Sequence, residues 1–167
     1  MTGKGGALTV ERVREVLDYD PVSGTFRWKR RMSRRSKAGD IAGHVDEQGY
    51  RYIRIDGRSY GAHRLAWMHF YGEEPPREID HREGVRNGDG IGNLRASTRS
   101  QNKANSKIQR NNTSGAKGVR RDGDRWVAYV NIAGKRKHLG TFDTFELAVA
   151  ARRAAAESIY GEFARHE

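Results

Sequence analysis

Hydrophobic positions first repeat at helical spacing through Val10, Val13, Val16 and Leu17, with Thr9 placed to cap the run. Asp20-Pro21-Val22-Ser23-Gly24 then reads as a turn and residues 25–28 as a short strand around Phe26 and Trp28. Residues 49–56 alternate imperfectly through Tyr50, Tyr52, Ile53 and Ile55, enough for a strand that ends on an Asp56-Gly57 turn. From 63 to 71 the period returns to helical, with Leu65, Ala66, Trp67 and Phe70 supplying the buried side and Gly72 the stop. Pro75-Pro76 forces an extended entry to a strand at Ile79-Asp80-His81. Gly84, Gly88, Gly90 and Gly92 mark a hairpin-like loop before a second short strand, Asn93-Leu94-Arg95. Ser97 or Thr98 then caps a polar helix carrying Gln101, Asn102 and Asn105.

Beyond Asn111-Asn112-Thr113-Ser114-Gly115 the pattern changes. Residues 125–132 alternate strictly: Trp126, Ala128, Val130 and Ile132 share one face, and Arg125, Val127, Tyr129 and Asn131 share the other. Ala133-Gly134 turns the chain into a basic strand over 135–139. Asp143 and Glu146 have capping-box spacing ahead of an alanine-rich helix that ends at Tyr160-Gly161. The expected fold class is α+β: a strand–loop–strand–helix unit followed by a small three-stranded antiparallel sheet backed by one helix. The expected boundaries are a disordered start at 1–8, a first domain at 9–108, a linker at 109–113 and a second domain at 114–167.

Charge narrows the partners. The 167 residues carry 32 Lys and Arg against 21 Asp and Glu, a net charge of +11 that favours a polyanion. The stretch 27–37 is dense in Arg and Lys with little apolar content, which suggests a mobile basic loop with sequence-independent affinity for phosphate. It lacks the apolar face of a membrane-surface helix, and no apolar run reaches bilayer-spanning length. The expected location is therefore the cytoplasm. With no cysteine, any metal must be held by oxygen or imidazole.

Asp80-His81, followed by Asn93 and Asn102, carries the candidate chemistry. Phosphodiester hydrolysis needs an activated water and stabilisation of charge at phosphorus. His81 has the proton affinity of a general base. The oxygens of Asp80 and Asn102 suit a magnesium-like ion that keeps several waters. One geometric objection stands, because neighbouring side chains on a strand face opposite ways.

At these residues the chain resembles the HNH endonucleases, in the phage and intron-type branch that has Asp-His on its first strand. The likeness rests on Ala62-His63-Arg64-Leu65-Ala66-Trp67, Ile79-Asp80-His81, Asn93-Leu94-Arg95 and Gln101-Asn102-Lys103-Ala104-Asn105, at the family's intervals. It implies a ββα-metal site in which Asp80 and Asn102 hold one divalent ion, magnesium or alternatively manganese. It also implies that His81 activates water and that Asn93 fixes the motif loop. Glu83 stands where the family often has asparagine, which opens the loop to extra contacts from Asn87 or Asp89. His63, on the preceding helix, is expected to be a hydrogen-bonded support.

The second domain resembles the ethylene-response-factor (Apetala-type) DNA-binding domain. The match rests on Ser114-Gly115, Gly118-Val119-Arg120, Trp126-Val127-Ala128, Leu139-Gly140-Thr141-Phe142 and the alanine helix. Arg152 replaces a position usually aromatic. The resemblance implies a sheet face that enters the major groove, with Lys117, Arg120, Arg125, Tyr129, Asn131, Arg136 and His138 as contacts. Together the readings predict a metal-dependent endonuclease of homing or nicking type that acts on double-stranded DNA as a monomer or weak dimer. A catalytically inactive DNA-binding regulator and a structured-RNA binder are the competing classes.

Overall fold

The computed structural model describes residues 7–166 and has the expected α+β class. The chain divides into two compact units, the first ending at Ala96 and the second beginning at Ser97. Most of the start expected to be disordered lies outside the described residues, but Leu8 packs, partly buried, on the first core.

In the first unit the hydroxyl of Thr9 accepts the Arg12 N–H and starts α1 (Val10–Val16), which buries Val13 and Val16. The helix stops one residue earlier than its apolar pattern suggests. Leu17 takes extended angles and opens β1 (Leu17–Tyr19), which pairs antiparallel with β2 (Phe26–Trp28). The intervening turn is built by Asp20, whose carboxylate accepts from the Val22 N–H and the Ser23 hydroxyl. The basic stretch after β2 has structure of its own: Ser33 and Ser36 bridge, Arg27 donates to the Gly39 carbonyl, and Lys29 donates to the Arg14 carbonyl.

β3 (His44–Val45), β4 (Arg51–Ile55) and β5 (Arg58–Gly61) form an antiparallel sheet in that order. Asp56 and Gly57 both have positive φ, as a two-residue hairpin turn matching strand twist requires. α2 (Ala62–Tyr71) follows directly and ends on Gly72 in the left-handed conformation. Its buried stripe is Ala62, Leu65, Ala66 and Met68. Phe70, expected inside, is half-exposed and meets Tyr71 edge-on, because the stripe set by 62, 65 and 66 leaves it on the flank. These side chains share one core with Val13, Val16, Leu17, Phe26, Ile53, Ile55, Ile79 and Leu94. β6 (Glu78–His81) pairs with β7 (Leu94–Ser97), joined by a loop holding two short 3-10 turns.

That loop is locked against the Asp20 turn by missing side chains. A Cβ on Gly24 would lie 2.2 Å from the Gly90 nitrogen, and one on Gly90 would lie 2.4 Å from the Val22 carbonyl oxygen. The Ile91 N–H donates to the Pro21 carbonyl and the Tyr19 hydroxyl to the Asp89 carbonyl, so the two turns interlock through backbone.

The second unit opens with α3 (Arg99–Asn105), where Thr98 and Gln101 form a full capping box. β8 (Val119–Asp122), β9 (Arg125–Ile132) and β10 (Lys135–Phe142) form an antiparallel sheet with β9 central, and α4 (Phe145–Tyr160) packs on it. Ala128 and Ala148 share one buried cluster, and Val130, Ala156 and Tyr160 share another, so small residues let helix and sheet approach closely. α4 is capped by Thr144, whose hydroxyl accepts the Leu147 N–H; Asp143, the expected cap, pairs instead with Arg125. The packing break at 96/97 precedes the compositional break at 109–113, because α3 belongs with the second unit. Ser100 and Tyr160 share a hydrogen bond, and the Arg165 N–H donates to the Ala104 carbonyl.

Gly90→Ala tests the interlock. Its Cβ has no space against backbone, so urea unfolding should show a loss on the order of 2 kcal/mol, whereas Gly92→Ala, with nothing within 4 Å, should be close to neutral.

Candidate active site

The alternation of β6 sends Asp80 and His81 to different partners. Both are buried, at 3% and 6% exposure. Asp80 Oδ2 accepts two charge-assisted bonds from Arg95 on β7, from Nε and Nη2, each 2.8 Å. His81 Nε2 lies 2.9 Å from Asp89 Oδ1, and Asp89 is itself only 6% exposed. The His81 ring also stands edge-on to His63 of α2, with centroids 5.5 Å apart, and to Tyr50, at 5.9 Å.

Asn93 holds the loop that brings Asp89 there. Its Oδ1 accepts the Glu83 N–H, while Nδ2 donates to the Gly84 and Gly88 carbonyls. The Arg82 N–H donates to Asn93's own carbonyl. One side chain thus satisfies backbone groups at both ends of a glycine-rich loop that has no ladder of its own.

His63 differs from the hydrogen-bonded support expected of it, because its Nδ1 is buried without a hydrogen-bond partner. Burial first, and the neighbouring His81 second, push its imidazole down to about 4 from the usual 6.5, so the ring is neutral at physiological pH. Burial also raises the Tyr50 phenol, with Tyr52 adding to the shift. Among the described residues, His63, His81 and Asp89 form a group able to hold a metal ion, with donor atoms all within 4.8 Å of one another.

A family model described as HNH endonuclease matches residues 60–104, the span containing His63, Asp80, His81, Asp89, Asn93 and Asn102. Protein 3.8 of Escherichia phage T7 is 33% identical over 89 residues, covering 52% of this chain and 73% of that protein. Residues 60–104 are an HNH endonuclease domain.

HNH nucleases bind a divalent metal, and the His63–His81–Asp89 group is a possible site for one. Of the pair anticipated from sequence, Asp80 is the buried partner of Arg95. Asn102 sits, half-buried, in α3 of the second unit, with its N–H on the Thr98 carbonyl. Sequence reasoning raised Asp89 only as a possible contact and did not single out Arg95 as the partner of Asp80. The signals available were an acid inside a glycine loop and an arginine two residues after Asn93.

Six of the seven expected DNA contacts share one face of the second sheet. Cross-strand register sets Arg136 opposite Asn131, His138 opposite Tyr129 and Arg120 opposite Val127, with Arg125 on the same face of β9. Val127 is buried even so, as the middle position of the central strand. The Arg136 guanidinium lies 4.3 Å from the Tyr129 ring centroid. Arg120 pairs with Asp122, and Arg125 with Asp143. Lys117 stands apart from this face: its half-buried ammonium donates to the carbonyls of Ala104, Ser106 and Arg165. Burial, with Arg152 and Arg165 nearby, lowers its pKa to about 8.

The lowered pKa of His63 sets a pH dependence for the HNH segment. Below 6.5 the unfolded chain takes a proton that the folded ring refuses, so the stabilisation present above 6.5 is lost progressively towards pH 4. The full loss is on the order of 3 kcal/mol. Urea unfolding in EDTA between pH 7 and 4.5 should show this slope in the wild type and a shallower one in His63→Gln.

Proposed function

We propose that this protein is a metal-dependent DNA endonuclease of nicking or homing type, with a catalytic part at 9–108 and a DNA-reading part at 114–167. The observation that carries the reading is the overlap of the HNH match at 60–104 with a buried Asp-His strand whose loop is tied down by Asn93. In this reading His81 takes the proton from the attacking water and Asn93 keeps the loop in shape. Water attacks phosphorus in line, the bond to the 3′ oxygen breaks, and that oxygen leaves with a proton from solvent, giving 3′-hydroxyl and 5′-phosphate ends.

Carboxylate and carboxamide oxygens fit a magnesium-class ion, so Asp80 and Asn102 would hold it. When bound, the ion supplies electrostatic stabilisation of charge on the phosphoryl oxygens. Arg95 competes with it for Asp80, which therefore has to share its carboxylate in the loaded enzyme. The exposed side chains of Arg120, Arg125, Asn131, Arg136 and His138, with Tyr129 beneath Arg136, support an Apetala-type reading face for double-stranded DNA. The inward ammonium of Lys117 makes it the weakest of the contacts anticipated. The phage relative fits a setting in host cytoplasm, with the protein acting as a monomer or weak dimer. No helix among the described residues is long and apolar enough to cross a membrane.

One observation favours a binding-only regulator instead: the Asp80 carboxylate is buried against Arg95. Supercoiled plasmid separates the two readings. Magnesium should support nicking, EDTA should stop it, and His81→Ala should slow it by about a hundredfold or more. Binding without any magnesium-dependent cutting would establish the regulator. For the reading face, Arg136→Ala should change sequence preference in a randomised-duplex selection, whereas Lys37→Ala should weaken all sequences alike.

A further inference from the structure

The side of β6 that carries His81 differs chemically from the side that carries Asp80. Asp80 meets a guanidinium. His81 meets a second imidazole and a carboxylate, and these three donors converge within 4.8 Å. Two of them, His81 Nε2 and Asp89 Oδ1, are already 2.9 Å apart. A first-row divalent ion lies about 2.0–2.2 Å from such ligands, which sets neighbouring ligand atoms roughly 3–3.5 Å apart, so the widest pair must close by up to about 1.5 Å through side-chain rotation.

We propose that His63, His81 and Asp89 form a second cation site, selective for imidazole-preferring divalent ions such as zinc, whose occupation switches the nuclease off. The binding half stands on geometry alone; the switch half rests on the reading of His81 as general base.

Three features carry the proposal. First, the donor set is two nitrogens and one carboxylate oxygen, a combination that suits zinc, cobalt or nickel and is poor for magnesium, which demands oxygens. Second, His63 Nδ1 is buried with no hydrogen-bond partner, a polar atom whose desolvation nothing in the protein offsets. Third, the ligands sit on fixed supports. His63 is in the first turn of α2, beside Gly61, where a Cβ would lie 2.6 Å from the ring. His81 is on β6, and Asp89 is in the loop locked by Gly24 and Gly90.

Binding changes the tautomer of His81. A carboxylate only accepts, so His81 donates Nε2–H to Asp89 and keeps its basic lone pair on Nδ1. To ligate through Nε2 the ring moves that proton to Nδ1, and the Nε2 lone pair goes to the metal. With Nδ1 protonated and Nε2 ligated, the imidazole has no lone pair left to accept a proton from water, and Asp89 no longer orients it. One strand therefore presents a hard-ion face that supports the reaction and a borderline-ion face that blocks it.

The test uses the full chain, freed of metal by a chelator. Zinc calorimetry and cobalt absorption should show one site that His63→Gln and Asp89→Asn each weaken by about tenfold or more, while millimolar magnesium leaves it filled. Circular dichroism checks that each variant is folded. In the wild type, cobalt should broaden the side-chain resonances of His63 and His81 together, a readout independent of any variant. Zinc should halt magnesium-supported nicking over the range that fills the site, reversibly by EDTA. With each protein normalised to its own magnesium rate, His63→Gln should need about tenfold more zinc for the same fractional loss. Wild-type zinc affinity in both variants, or broadening of other histidines, would overturn the site. Zinc that supports nicking would overturn the switch. If zinc binds as stated but no preparation nicks DNA under magnesium, the endonuclease reading fails and the cation site remains.

Discussion

A single carboxamide sets the shape of the loop on which the site depends. Asn93 accepts from Glu83 and donates to Gly84 and Gly88, bracketing a segment rich in glycine and therefore costly to order. With that loop closed, the Asp20 turn can press against Gly90, and Asp89 is delivered to His81. The catalytic candidates are thus held by backbone hydrogen bonds and close backbone approach more than by side-chain packing. Such a scaffold has few ways to relax and positions a buried imidazole tightly.

The burial of Asp80, His81, Asp89 and Arg95 raises the stakes of each pairing. In a low-dielectric setting an unmatched charge is expensive, so Arg95 on Asp80 and Asp89 on His81 compensate the two faces of β6 separately. The strand's pleat enforces the separation. Residues adjacent in sequence consequently have different electrostatic surroundings, and their chemistry is decided by what the neighbouring elements bring to each side.

Much of this was legible from the chain. Thr9 and Thr98 announced their helices because a hydroxyl before an apolar or polar run has one strong use there. The alternation from Arg125 to Ile132 declared both the strand and the face that packs on alanine. Short strands were harder. β1 continued the hydrophobic run of α1, and β3 and β5 offer too few residues for a period to show. Thr144 capped α4 where Asp143 also fitted, because its hydroxyl accepts the Leu147 N–H while Asp143 pairs with Arg125. The inward turn of Asp89 and of Lys117 was not legible, although both residues were raised as contacts. Whether a charged side chain turns inward depends on partners dozens of residues away, and no local pattern records them.

The stacking of Arg136 on Tyr129 has its own consequence. A free arginine on a sheet surface samples many rotamers and loses that freedom when it engages an anion. Here contact with the aromatic ring has already removed part of it. In the proposed reading face a guanidinium held in this way would engage a phosphate with less entropic penalty than a free one, so shape as well as charge would enter recognition at this corner of the sheet.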